Sequence, residues 1–373
     1  MKKNTGILEE AYEKAKQVLK ICSTPNGLYA SGGKSGYKGV WARDSMISLI
    51  GASSAVKNDN NFVKEQFEKS LITLAKYQGE HGEISNAVMK FGSKKLKVDY
   101  LSIDSSLWFI IGHYVYKKKY GSDLFKKYEK NIDKAIIWLS YQDMGEDTML
   151  EQLPTTDWQD AFPHRYGRTI NTQTLYYKVL SLVGDKKKLM KLKKDVNENN
   201  DIKLWNKDYY YAYRWKNHNK YKEIGDWFDT LGNLLAIIFD LADKNKAEKI
   251  ISYIRKKKIN KPYPVMSIFP TIKKGSKYWE DYYLDCEAGK PYHYLNAGIW
   301  PYIGSFYVLA LIKLKRFKEA EKELVKLAEA NLKGNFPEWI NPLNKKMNGK
   351  FQAWDAGTYI LAYESLKKKK VLI

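Results

Sequence analysis

The sequence predicts a single all-α domain over residues 1–373, a closed toroid of helix hairpins in which inner buried helices alternate with outer solvated ones. Three observations carry this. Apolar residues recur at i, i+3, i+4 and i+7 through most of the chain. The helices come in pairs, a more apolar one followed by a more charged one. The clusters richest in Gly, Asp and Trp precede the apolar members, so a toroid would gather them at one end. A solenoid also stacks helix pairs, but these pairs share no fixed period or consensus.

Taken in order, helical periodicity covers Ile7–Ile21, Ser45–Val56, Phe62–Tyr77, Ser105–Tyr120, Leu124–Tyr141 and Thr169–Val183. It resumes at Phe228–Ala242, Lys244–Arg255, Gly298–Leu314, Phe317–Leu332 and Ala356–Leu366. Leu234, Leu235, Ile238 and Leu241 illustrate the apolar stripe. The pairing is plainest in Ser105–Tyr120 with Leu124–Tyr141, in Phe228–Ala242 with Lys244–Arg255, and in Gly298–Leu314 with Phe317–Leu332. Strand-like alternation is confined to short stretches near Lys97–Tyr100 and Tyr209–Tyr213. No Pro/Gly/Ser-rich linker divides the chain.

Composition narrows the function. Hydrophobic residues make up 44% and aromatic residues 14%, with 29 Tyr and 11 Trp. That load reflects either a codon bias or a carbohydrate site, since sugar rings stack their C–H faces on indoles and phenols. The formal charge of +22 is mostly lysine, in runs such as Lys117–Lys119, Lys186–Lys188, Lys256–Lys258 and Lys367–Lys370. These runs fall at helix ends or on solvated faces, where lysine ordinarily sits. With no nucleic-acid-binding motif beside them, no specific nucleic-acid partner is expected. Two distant cysteines, Cys22 and Cys286, a charged start without an apolar core, and no long apolar run lead to the expectation of a cytoplasmic protein with no membrane contact.

Chemistry concentrates at the helix entrances. The first clusters are Gly36-Tyr-Lys-Gly-Val-Trp-Ala-Arg-Asp44, Val98-Asp-Tyr-Leu-Ser-Ile-Asp104-Ser-Ser-Leu-Trp108 and Thr156-Asp-Trp-Gln-Asp160-Ala-Phe-Pro-His-Arg-Tyr-Gly-Arg168. Then come Trp227-Phe-Asp229-Thr-Leu-Gly-Asn233, Tyr292-His-Tyr-Leu-Asn296-Ala-Gly-Ile-Trp300-Pro301, and Phe336-Pro-Glu338-Trp339 with Gln352-Ala-Trp354. Alone, an Asp before an apolar helix is an ordinary N-cap, and a Trp beside it is ordinary core. Recurrence of carboxylate with indole at six entrances instead points to one shared cavity. Glycoside hydrolysis needs a protonated carboxyl to donate to the leaving oxygen and an ionised one to activate water or attack carbon. Of 64 basic residues only six are Arg, and Arg43, Arg165 and Arg168 lie in these clusters, where a planar fork matters. The five histidines (His81, His113, His164, His218 and His293) lack metal-ligand spacing, and no nucleophile elbow or phosphate loop is present. No metal and no cofactor are expected.

These blocks resemble the helical-barrel glycosidases over about residues 36–366, in particular the catalytic domain of glycogen-debranching amylo-α-1,6-glucosidases and the neutral/alkaline invertases. Val40-Trp-Ala-Arg-Asp44 is similar to their W-x-R-D block and Asp104-Ser-Ser-Leu-Trp108 to their D-[AS]-x-L-W block. Thr156–Tyr177 looks like T-W-M-D-A…P-R-x-G-K, and Tyr292–Pro301 like Y-H-x-G-x-x-W-P. The resemblance implies an (α/α)6 barrel that hydrolyses an α-glucosidic bond of an oligosaccharide from its non-reducing end. Sucrose hydrolysis of invertase type is the alternative, and a non-catalytic sugar-binding barrel the remote one.

By the same resemblance Asp160 matches the general acid, with Asp157 as its rival, and Glu338 matches the general base. Trp41, Arg43, Asp44 and Asp104 match residues holding the cleaved sugar. Trp108, Asp157, Trp158, Arg165, Arg168, Gln173, Asp229, His293, Asn296, Trp300, Gln352 and Trp354 are expected to contribute to substrate binding. The family inverts configuration, which implies carboxyls roughly 6.5–9.5 Å apart, and Asp160 would need burial and neighbouring carboxylates to raise its pKa. Asn171 departs from the usual Glu, and the β-rich module of debranching enzymes is missing, which favours a short oligosaccharide or disaccharide.

Overall fold

The computed structural model describes residues 2–34, 36–55, 60–92, 95–217 and 221–373; Val56, at the end of one expected helix, and His218 lie outside the described residues. Six apolar helices follow one another around a ring: α2 (Ala42–Ala52), α4 (Ile103–Tyr120), α7 (Ile170–Val183), α9 (Thr230–Ile238), α11 (Pro301–Lys313) and α13 (Ala353–Lys367). Each packs on the next, and α13 returns to pack on α2. This cycle is consistent with the toroid expected from the helix pairs.

The outer helices are α1 (Lys2–Cys22), α3 (Asn60–Lys76), α6 (Glu129–Ser140), α8 (Lys186–Glu198), α10 (Lys244–Lys256) and α12 (Phe317–Gly334), with a short α5 (Asp123–Lys127). Their sequences explain their place. In α10 only Ala247, Ile250, Ile251 and Ile254 are buried, one stripe at helical spacing, while lysines face solvent. Every residue of α2 and of α9 is buried, as an inner helix requires. One contiguous hydrophobic cluster runs from Leu8 to Ala362.

The polar helix entrances are trimmed with short strands. A three-stranded antiparallel sheet joins β3 (Gly39–Trp41), β4 (Ala87–Met89) and β5 (Lys97–Asp99) ahead of α2 and α4. Ahead of α7 and α9 lie four strands, β6 (Arg168–Thr169), β7 (Tyr211–Asn217), β8 (Tyr221–Asp229) and β9 (Ile268–Phe269). Here the structure departs from the expected pattern. The helix expected from Phe228 begins at Thr230, because Phe228 and Asp229 pair with Phe269 and Ile268. The alternation of Tyr211, Tyr213 and Trp215 carries a full strand beyond the short stretch foreseen. Helix α8 was not foreseen either; its lysines mask a sparse stripe that buries Leu192 and Val196.

Ring closure depends on two glycines. Gly51 of α2 and Gly357 of α13 face one another, and a Cβ on either would overlap backbone atoms of the other helix. Overpacking of this kind costs about 1–3 kcal/mol or more where the clash is with backbone. Gly357→Ala is therefore expected to lower the thermal midpoint by several degrees in a calorimetric scan. An unchanged midpoint would mean that this seam tolerates separation.

Candidate active site

The backbone aims the side chains before any chemistry begins. Strand β3 hands directly into α2, so Trp41 is the N-cap residue and Arg43 and Asp44 lie in the first turn. Neither Asp44 nor Asp104 caps its helix; both occupy first turns, behind Trp41 and Ser102 respectively. Asp229, by contrast, caps α9 through the Gly232 N–H. The segment from Thr156 to Arg168 crosses the open end of the ring, tied to α4 by the Ile103 N–H donating to the Thr156 carbonyl at 2.7 Å. Between α12 and α13 a two-stranded ribbon holds Glu338, whose N–H donates to the Asn348 carbonyl at 2.8 Å.

These loops surround a solvent-open cavity with about 70 Å³ of water-accessible space, lined by Ala30, Tyr37, Trp41, Arg43, Asp44, Trp158, Asp160, Tyr294, Trp300, Glu338, Gln352 and Trp354. Trp158, Trp300 and Trp354 form an edge-to-face chain with ring centroids 5.8 and 5.7 Å apart. The Trp300 indole N–H donates to the Tyr294 carbonyl at 3.0 Å. Those of Trp41, Trp158 and Trp354 are buried without an acceptor among the described residues. Buried donors left unpaired are costly, so three of them lining one cavity mark where a hydroxyl-bearing ligand would complete the bonding.

Two carboxyls in the cavity are held differently. Glu338 Oε1 accepts from the Tyr37 and Tyr294 hydroxyls, each at 3.2 Å. Burial pushes its pKa up to about 7, against those two phenol donors and reinforced by the charge of Asp160. Asp160 faces Arg43, with Nη2 to Oδ2 at 3.6 Å, and its side chain keeps 41% exposure toward the cavity. Burial raises the Asp160 pKa, Arg43 opposes, and Asp104 and Asp157 add to the rise. A third carboxyl, Asp44, is pushed up to about 7 chiefly by burial.

Behind the cavity lies a layer of buried ions. Arg43 Nη1 donates to Asp104 Oδ1 at 3.0 Å while its other nitrogen faces Asp160. Arg165 bridges Asp157, at 2.7 Å, and Asp229, all three fully enclosed. Asp157 is thus engaged by Arg165, whereas Asp160 opens into the cavity. The structure places Trp41, Arg43, Asp44, Trp158, Asp160, Trp300, Glu338, Gln352 and Trp354 on the wall, with Asp104, Asp157, Arg165 and Asp229 one layer behind.

The remaining five residues expected there lie elsewhere. Trp108 is in the hydrophobic core. Arg168 pairs with Asp147 and Glu151. Gln173 exchanges hydrogen bonds with the Leu150 backbone, and Asn296 is consumed by Thr271, Ile272 and Gly289. His293 packs edge-on against Trp339. Tyr37 and Tyr294 were not foreseen as site residues. Both lie in or beside conspicuous clusters, but in a chain with 29 Tyr nothing local singles them out. Among the described residues no group of three His, Cys, Asp or Glu is disposed to hold a metal ion.

The Glu338 shift has a consequence for stability. Its ordinary pKa of 4.5 applies in the unfolded chain, so between about pH 4.5 and 7 the folded form retains a proton that the unfolded form releases. Folding stability is greatest below that window and is lost as pH rises through it. Glu338→Gln removes this carboxyl's share of the dependence, while that of Asp44 remains. The variant is expected to melt higher than wild type at pH 8, by on the order of 1–3 kcal/mol, with little difference at pH 4. A gain equal at both pH values would contradict the cause given.

Residues 225–369 match the family described as alkaline and neutral invertase. Alkaline/neutral invertase C, mitochondrial, of Arabidopsis thaliana is 25% identical over 71% of this chain, which spans 48% of that relative's length. The GH63 mannosylglycerate hydrolase of Thermus thermophilus superposes with a TM-score of 0.70 at 11% identity, covering 94% of this chain and 99% of that one. A glycosidase in complex with glucose superposes with a TM-score of 0.67 at 13% identity, covering 97% of each chain. The chain thus shares the helical fold of these solved glycosidases, and its segment 225–369 is similar to the alkaline and neutral invertases.

Proposed function

We propose that this chain hydrolyses a terminal α-glucosidic bond by inverting acid/base catalysis in an (α/α)6 barrel of one domain. The observation that carries the reading is the cavity itself, where Asp160 and Glu338 share a wall with three indole N–H groups that lack acceptors among the described residues. Protonated Asp160 donates to the glycosidic oxygen as the C1–O bond breaks. Ionised Glu338 takes a proton from the water whose oxygen bonds to C1 from the opposite face. The proton lost by Asp160 leaves on the departing alcohol, and the one gained by Glu338 returns to solvent. Arg43, pinned by Asp104, positions Asp160, and Tyr37 and Tyr294 orient the Glu338 carboxylate.

Sucrose is the first substrate to try. The segment similar to the invertases, 225–369, contributes Tyr294, Trp300, Glu338, Gln352 and Trp354 to the wall. A short oligosaccharide α-glucosidase of debranching type is the second reading. It is favoured by the Trp158-Gln-Asp160-Ala block, which lies outside that segment and resembles the debranching pattern.

Sugar release from sucrose, isomaltose, panose and maltotriose separates the two. Glucose with fructose from sucrose alone supports the invertase reading, and glucose from the α-glucosides supports the other. Asp160→Asn and Glu338→Gln are each expected to lower kcat by on the order of 10²–10⁴-fold. Proton NMR of the first product should show β-glucose. Turnover unchanged in both variants, or α-glucose as first product, would overturn the mechanism.

Because the base must be ionised, kcat/KM is expected to fall as pH drops through about 7, the value to which burial lifts Glu338. An acid limb near pH 4.5 instead would remove Glu338 from that role.

A further inference from the structure

A second, larger cavity is lined in part by the segment that carries Asp160. Its water-accessible space is about 500 Å³, against about 70 Å³ in the first. Neighbouring residues of one loop line both: Asp160 lines the smaller cavity, while His164 and Tyr166 line the larger. Phe162, between them, packs on Tyr283 at 4.9 Å, and Tyr283 belongs to the larger wall. Strands β7 and β8 supply the far side through Tyr213, Glu223 and Trp227. Both cavities therefore lie among the loops that precede the inner helices.

The chemistry of this wall is specific in three respects. Its rings meet edge-on: Trp227 with Tyr213 at 70° and with Tyr278 at 71°, and Tyr282 with Tyr283 at 70°. Such a wall offers a broad amphipathic aromatic surface. Trp227 is only 2% exposed, lines the cavity, and its indole N–H has no acceptor among the described residues. A buried donor without an acceptor is costly, and a water or a ligand hydroxyl would relieve it. The ionisable groups are of mixed sign, Glu223 and Glu280 against Lys277, with Glu223 accepting from the Tyr166 hydroxyl. Mixed charge selects no anion or cation; carboxylates beside aromatic faces suit the hydroxyls and C–H faces of a neutral sugar.

We propose that this cavity is a second saccharide-binding site, holding pyranose units of an oligosaccharide beyond the unit seated in the smaller cavity. It rests on the reading of the smaller cavity as the hydrolytic site only for the position of the cleaved bond. A chain with this site binds a trisaccharide more tightly than a monosaccharide, and the gain resides in rings that take no part in hydrolysis. Tyr282, 54% exposed at the rim, and Trp227 in the wall carry that gain.

The test is the dissociation constant of maltotriose and of glucose, measured by saturation-transfer NMR and calorimetry on the Glu338→Gln protein, with and without Tyr282→Ala or Trp227→Phe. Tyr282→Ala removes an exposed ring, and Trp227→Phe removes the N–H while keeping the packing. Each is expected to weaken maltotriose by roughly 5–10-fold, the scale of one aromatic contact, and leave glucose unchanged. Maltotriose binding that is undetectable, no tighter than glucose, or equal in all three proteins would overturn the proposal. A wild type that releases no sugar yet shows Tyr282-dependent maltotriose binding would overturn the hydrolytic reading and leave this one standing.

Discussion

The arrangement hangs on charge buried at the mouth of a helical ring. Arg165 is enclosed between Asp157 and Asp229, and Arg43 between Asp104 and Asp160. An unpaired ion in such a place would cost several kcal/mol, so each guanidinium dictates where its carboxylates lie. Arg165 thereby staples the loop bearing Asp160 to the first turn of α9, and Arg43 fixes α2 against α4 at the same level. Loops that would otherwise be free to drift are held by the one interaction least tolerant of being broken. The planar fork suits arginine to these two positions in a chain whose cations are mostly lysine.

With the frame secured by ion pairs, the cavity itself departs from good packing. Three indole N–H groups lack acceptors among the described residues, and Asp44 and Glu338 are lifted to about 7 by burial. Each is a cost to the folded state that the surrounding hydrophobic ring offsets. Such costs are the expected mark of a site prepared for a ligand's hydroxyls and for proton transfer near neutrality. The two candidate carboxyls also differ in kind. Glu338 is wrapped by phenol donors, whereas Asp160 faces one guanidinium and the open cavity. Two environments for two carboxyls are what a division into base and acid requires.

Much of this was legible in the residues. Helical periodicity marked most of the inner and outer helices, and the carboxylate–indole clusters named nine members of the cavity wall. What escaped has a physical cause in each case. Lysine so dominates Lys186–Glu198 that its apolar stripe is sparse, and the helix is visible only once Leu192 and Val196 are seen buried. Aromatic alternation in Tyr211–Asn217 was readable as strand, but its length depends on pairing with β8. Gln173 and Asn296 looked like sugar ligands because their type is right; backbone groups distant in sequence use up their amides.

By itself, then, the sequence determined most of the helical segments, which of those helices are apolar enough to be enclosed, and which entrances carry reactive groups. These are local properties, set by spacing and side-chain type. Only the tertiary structure decided that Glu338 lies under the hydroxyls of Tyr37 and Tyr294, which stand 301 and 44 residues from it in the chain. The same holds for the partition of Asp157 into an ion pair and Asp160 into the cavity, although the two are close neighbours on one loop. Hydrogen-bond partnership and solvation are set by what the folded chain brings within a few ångströms, and no periodicity encodes that.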